Sequence, residues 1–144
     1  DVVRSRGLGD VYKRQIPKVA ILSYSNFGNP SGSNTKTINE CLKILEDKKV
    51  SFEFDGEMTA EVALDYNLIK ENYPFCKLSG PANVLIMPDL YSANISFKLL
   101  QKMENLSVIG PIMIGGNNPF QIVQMGASVS DIVNSACIST YNSL

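Results

Sequence analysis

The sequence predicts an α/β fold of three layers built on a mostly parallel sheet. Three observations carry that expectation. Short β-branched, apolar runs alternate with segments of helical periodicity, the breaks between them fall on Gly, Pro, Asn and Ser clusters, and no segment repeats. With 144 residues, 44% hydrophobic and 19% charged, the chain has the size and composition of one ordinary globular domain with a core to bury.

The elements follow in order. "KVAILSYS" (18–25) is a β-branched, apolar run that reads as a buried strand, and it breaks at the loop "NFGNPSGSN". From 35 to 49, Ile38, Cys41, Leu42 and Leu45 recur at helical spacing and predict an inward helix face. "VSFEF" (50–54) alternates as a second strand, after which "DGEM" reads as a turn. A helical stretch follows, broken near Asp65–Asn67 and stopped by Pro74. "ANVLIMPDL" (82–90) predicts a third strand closed by Pro88. In 92–104, Ile95, Leu99 and Met103 share one helical face, with Ser92 as the cap. "LSVIGPIMIGG" predicts a fourth strand interrupted at Gly110-Pro111. After Asn117, Asn118 and Pro119 a short amphipathic piece reaches Gly126. A last helix from Val129 to about Tyr141 is expected to turn Ile132, Val133, Ala136 and Cys137 inward.

Composition excludes several classes of function. The first fifteen residues, "DVVRSRGLGDVYKRQ", hold all three arginines and read as a translated adaptor remnant rather than part of the fold. Setting aside Arg4, Arg6, Lys13 and Arg14 with Asp1 and Asp10 leaves nine basic against twelve acidic residues, a net charge of −3. A mildly acidic surface without arginine argues against nucleic acid, whose phosphates need basic clusters. No histidine is present, so an imidazole base and the usual zinc ligand sets are absent, and no metal site is expected. Cys41, Cys76 and Cys137 are far apart and odd in number, as expected of reduced structural thiols in a cytoplasmic protein. No apolar run is long enough for a membrane helix.

In open α/β sheets ligands gather at the carboxyl ends of strands, here residues 25–33, 55–58 and 88–94. Gly28 and Gly32 form neither a GxGxxG fingerprint nor a P-loop, although their backbone N–H groups could face an anion. Asp55 and Glu57 around Gly56 could form an acid/base pair at a strand end, or Gly56 a turn with Asp55 as a helix cap. In "QMGASVSDIV", Ser128 and Asp131 match a capping box, and the same carboxylate near a cleft could act as a base toward a thiol or hydroxyl.

Taken together, "ILSYSNFGN", "FEFDGEM", "GPANVLIMPDL", "ANISFKLL" and "GASVSDIVN" resemble the C-terminal part of the phosphate acetyltransferase family. "SYSNFGN" and "DGEM" look most like the phosphotransacetylase-like domain at the C-terminus of NADP-dependent bacterial malic enzymes. The resemblance covers residue 16 to the end and implies the C-terminal part of a two-domain fold. Residues 16–110 would then form most of the second α/β domain, and residues 111–144 a segment returning to the first.

The family's catalytic members carry Ser-Arg-Gly before the final helix, an Asp in its first turn, and a further Arg ahead of the fourth strand. By resemblance these fall on Gln124, Met125 and Gly126, on Asp131 and on Lys102. The Asp would deprotonate the CoA thiol, the Ser stabilise the tetrahedral intermediate and the Arg hold phosphate. Holding a phosphate oxyanion is best done by a guanidinium fork, and none occurs from Ile16 onward. The resemblance therefore implies no confident catalytic residue and an acyl-CoA cleft at Lys102, Gly126, Ser128 and Asp131. It implies a regulatory and oligomerisation domain of a homo-oligomeric malic enzyme, with acetyl-CoA as effector. NADP and a divalent metal would belong to an upstream malic enzyme domain of the same polypeptide. The alternative is a fragment of a divergent phosphate acetyl- or butyryltransferase.

Overall fold

A computed structural model describes residues 16–32, 34–103, 108–116 and 118–141. The remnant expected at 1–15, together with Leu106, Ser107 and Asn117 of the expected fourth strand and the piece after it, lies outside the described residues. The chain divides into two compact units between Ile95 and Ser96.

In the first unit, β1 (Lys18–Leu22), β2 (Glu53–Met58) and β3 (Val84–Ile86) form a parallel sheet in the order β2-β1-β3. Helix α1 (Asn34–Asp47) connects β1 to β2, and α2 (Ala60–Leu64) with α3 (Tyr66–Asn72) connects β2 to β3. The two crossovers run in opposite directions along the sheet. Right-handed connections therefore lay α1 on one face and α2–α3 on the other, which makes the expected three layers. The burial pattern agrees. Ala20, Leu22 and Met58 share one core with Val62, Ala63, Ile69, Leu78 and Ala82, whereas Ile21 and Ile38 are buried outside it.

Local chemistry sets the helix ends. The Thr59 hydroxyl accepts the Val62 N–H at 3.4 Å and opens α2. Asp65 ends α2 and begins α3, its carboxylate accepting the N–H groups of Asn67 (2.9 Å) and Leu68 (3.2 Å). Helix α3 stops at Asn72, two residues ahead of Pro74.

Several expectations need correction. The second strand is displaced toward the C-terminus, so "DGEM" lies inside β2 and is neither a turn nor a helix cap. A buried strand can carry these carboxylates because donors from distant segments reach Asp55 and one oxygen of Glu57. Asp55 Oδ2 accepts the Lys77 N–H at 2.7 Å and Oδ1 the Gly56 N–H at 2.9 Å. Along α1 only Ile38 is buried and Cys41 is exposed, so the covered face is narrower than the periodicity suggests.

Helix α4 (Leu90–Leu100) starts before Ser92, and the cap is Asp89, whose Oδ1 accepts the Ser92 N–H at 2.8 Å. The helix has no buried residue, and Ile95, Leu99 and Met103 are all exposed.

The second unit has no strand among its described residues, and 108–116 runs as irregular chain. Pro111 lacks an N–H and Gly110 has φ +138°, both at odds with a continuous ladder. Residues 118–126 likewise form no helix. Helix α5 (Val129–Tyr141) appears as expected, but Ile132, Val133, Ala136 and Cys137 are exposed and Ile138 is the buried residue. Ile138 lies opposite the stripe formed by Ile132, Val133 and Ala136, so the covered side is not the one that spacing singles out.

Candidate functional site

Two clusters of polar side chains stand out, one in each unit. In the first unit, the loop leaving β1 closes over the end of β2. Ser23 N–H donates to the Met58 carbonyl at 2.9 Å, Phe27 N–H to the Glu57 carbonyl at 2.7 Å, and Thr59 N–H to Asn26 Oδ1 at 2.7 Å. Glu57 sits beneath, 2% exposed. Its Oε1 accepts the Ser25 hydroxyl, the Gly28 N–H at 3.3 Å and the Thr35 hydroxyl at 3.2 Å, while its buried Oε2 has no partner among the described residues. The Gly28 N–H therefore serves an internal carboxylate and is not free for an anion. Asp55 faces the Cys76 segment instead; burial above all, with the Asp55 carboxylate adding to it, pushes the Cys76 thiol up to about 11. Asp55 and Glu57 thus work on separate partners rather than as a pair.

In the second unit, a cavity of about 160 Å³ is lined by Gln124, Met125, Gly126, Asp131 and Ser135 together with Gln101 and the 108–111 segment. Of the residues singled out from the sequence, Lys102 and Ser128 are not part of this lining. Ser128 instead meets Asp131 directly. Its N–H and hydroxyl donate to Asp131 Oδ2 at 2.9 and 2.8 Å, and its hydroxyl oxygen accepts the Asp131 N–H at 3.2 Å. This is the reciprocal capping box. The Ser128 hydroxyl, then its N–H, holds the Asp131 carboxyl below its ordinary value, which favours its ionised form and makes it a weaker base. Met125 is fully exposed.

Sequence reasoning missed Lys98. Its Nζ donates to Gln124 Oε1 at 3.2 Å and to Gln101 Oε1 at 3.4 Å, bringing a cation to the cavity's edge. Lys98 stands one helical turn before Lys102, and only the distance to Gln124 separates the two. Among the described residues no group of three or more His, Cys, Asp or Glu is arranged to hold a metal ion, and no helix is long and apolar enough to cross a membrane.

A parallel sheet in the order β2-β1-β3, followed by a capped helix bordering a small cavity, defines an α/β protein with crossover-connected strands. The structure superposes on the EutD phosphotransacetylase from Staphylococcus aureus with a TM-score of 0.84 and 27% identity, over 99% of this chain and 44% of that one. The profile for Phosphate acetyl/butaryl transferase matches residues 10–140, and the chain belongs to that family. Within it, the chain is 50% identical over 127 residues to the NADP-dependent malic enzyme of Rhizobium meliloti (strain 1021), covering 88% of this chain and 17% of that protein. It is 37% identical over 123 residues to the phosphate acetyltransferase of Helicobacter pylori (strain J99), covering 85% of this chain and 24% of that protein. The chain thus spans under a quarter of the length of both curated relatives.

Proposed function

We propose that this chain is the phosphotransacetylase-like C-terminal domain of an NADP-dependent malic enzyme polypeptide, in which the upstream domain decarboxylates malate oxidatively to pyruvate. In this reading the domain serves regulation and oligomerisation, and it binds acetyl-CoA as an effector without transferring the acetyl group. NADP and the divalent metal act in the upstream domain.

The observation that carries the absence of transfer is the makeup of the cavity edge. Gln124, Met125 and the single ammonium of Lys98 stand there, with no guanidinium in the chain from Ile16 onward. A lysine is a point charge and cannot grip a phosphate by two parallel N–H bonds, so this segment offers no fork for the oxyanion of acyl transfer to phosphate. Asp131, held low by Ser128, is in addition poorly matched to removing a thiol proton. The cavity suits one end of a ligand. A void of about 150 Å³ accommodates a molecule the size of benzene, so about 160 Å³ takes an acetyl thioester head with the rest of the coenzyme outside.

The test uses the full polypeptide of the same gene. Calorimetry should register acetyl-CoA binding, while a coupled assay with acetyl-CoA and phosphate should find no acetyl phosphate above background. Steady turnover to acetyl phosphate would instead establish the alternative, a divergent phosphate acyltransferase.

A further inference from the structure

We infer that Lys98 fixes which way the Gln124 amide faces, and thereby makes Gln124 a hydrogen-bond donor that selects the acyl carbonyl of a coenzyme A thioester over the free thiol. The inference rests on the acyl-CoA reading above and adds the residue pair that would discriminate between the two forms of the coenzyme.

Gln124 lines the cavity, and its side-chain oxygen is 3.2 Å from the Lys98 ammonium. An ammonium has three donors and no acceptor, whereas a carboxamide has an accepting end and a donating end. Turning the amide over would set two donors against each other, so the cation dictates the orientation. With the oxygen taken by Lys98, the NH2 is the end of the amide that remains to donate to a ligand. Lys98 is itself steadied by the Gln101 oxygen at 3.4 Å, and Gln101 also lines the cavity. The other polar side chain carried by the 124–131 segment into the lining is Asp131, an acceptor already engaged by Ser128. Such a site has a donor for a carbonyl oxygen and an anionic acceptor near by.

The two forms of the coenzyme differ at this point. A thioester presents a carbonyl oxygen, which accepts the amide N–H. A free thiol is a weak acceptor and a weak donor, and its ionised form would face the Asp131 carboxylate. A single neutral hydrogen bond changes affinity by about two- to tenfold, so the preference for acetyl-CoA is expected in that range. Lys98 is a positioning residue here, because it acts through Gln124.

The experiment measures binding of acetyl-CoA and of CoA by calorimetry to the full polypeptide and to Lys98→Met, Lys98→Arg and Gln124→Glu variants. Both positions are exposed, and circular dichroism verifies that each variant is folded. In the parent, acetyl-CoA is expected to bind about two- to tenfold more tightly than CoA. Lys98→Met should bring that ratio to about one, chiefly by weakening acetyl-CoA, and Lys98→Arg, which keeps a donor to Gln124 Oε1, should restore it. Gln124→Glu keeps the contact with Lys98 but loses the NH2, and should also abolish the preference.

A ratio unchanged in both Lys98→Met and Gln124→Glu overturns the inference while leaving the effector reading standing. Equal weakening of both compounds by Lys98→Met does the same, since Lys98 would then be touching a part common to both. Failure of the parent to bind either compound overturns the acyl-CoA reading itself and the inference with it.

Discussion

Ser25 and Glu57, 32 positions apart in the chain, meet in a buried side-chain hydrogen bond, with 1% and 2% of their surfaces exposed. The contact joins the loop after β1 to the interior of β2, and Thr35 brings the first turn of α1 to the same carboxylate oxygen. One acceptor therefore organises three segments.

Glu57→Ala should destabilise the protein by about 3 kcal/mol. It leaves the Ser25, Gly28 and Thr35 donors without their acceptor, at about 1–3 kcal/mol for each group that water fails to reach. Glu57→Gln retains an accepting oxygen and should cost clearly less. Urea denaturation of the two variants checks the order. An alanine variant as stable as the glutamine one would show that the three hydrogen bonds do not hold the loop.

Two glycines should respond differently to alanine. At Gly56, with φ +158°, a Cβ would come 2.8 Å from the backbone oxygen of Ile21, which cannot move without disturbing the β1–β2 pairing. At Gly32 it would overlap the Tyr24 hydroxyl, but that is the tip of an exposed side chain free to swing away. Gly56→Ala is expected to cost about 2–4 kcal/mol from strain and overpacking, and Gly32→Ala less than about 1 kcal/mol. Thermal melts of both decide it, and comparable losses would contradict the distinction.

Much of this architecture was legible in the sequence, and the misses share a cause. Lys18, Val84 and the helix breaks at Asp65 and Pro74 fall where apolar runs and breakers place them, because those signals are local. Asp55, Gly56 and Glu57 read as a turn, since no local signal reveals that Lys77, Ser25 and Thr35 come in from elsewhere to satisfy two carboxylates in a strand. The Ser128–Asp131 box, complete within four residues, was readable in full. Lys98 was not, because its partner Gln124 is 26 positions away and lysines on exposed helices are commonplace. On α4 and α5 the apolar residues signal helix but not which side is covered, and burial is a property of neighbours.

Cys76 should resist thiol reagents in the native protein. With its pKa raised from 9.0 to about 11, its thiolate fraction at neutral pH falls roughly a hundredfold, and the thiolate is the reactive form. Cys41 and Cys137 are exposed and should react first. Mass spectrometry after brief iodoacetamide treatment at pH 7.5 should find label on those two and none on Cys76 until denaturant is added. Early labelling of Cys76 would show that its burial against Asp55 does not persist in solution.

The capping box has a pH signature. Asp131 is held below its ordinary 3.8 by the Ser128 hydroxyl and N–H, so the folded form prefers the carboxylate. A depressed folded pKa contributes stability that is present above the unfolded value and lost as pH falls through the folded one. The capping contribution to α5 should accordingly be constant from neutral pH down to about pH 4 and fade below it. In an NMR titration Ser128→Ala should raise the Asp131 pKa toward 3.8. An unchanged value would mean that the Ser128 hydroxyl does not hold the carboxylate in solution.

Regulation, finally, can be tested by linkage in the full polypeptide if it is the malic enzyme proposed above. If acetyl-CoA bound in this domain is coupled to the upstream active site, a coupling free energy of about 1–3 kcal/mol changes apparent malate affinity some 5- to 150-fold. Thermodynamic reciprocity then requires malate to change acetyl-CoA affinity by the same factor, whichever direction the effect takes. The expected outcome is an acetyl-CoA dissociation constant that differs at least fivefold between zero and saturating malate. The shift should disappear in a polypeptide whose upstream domain cannot bind malate, since the coupling has no second site there. Equal acetyl-CoA affinities with and without malate would remove the regulatory role and leave the domain a purely structural one.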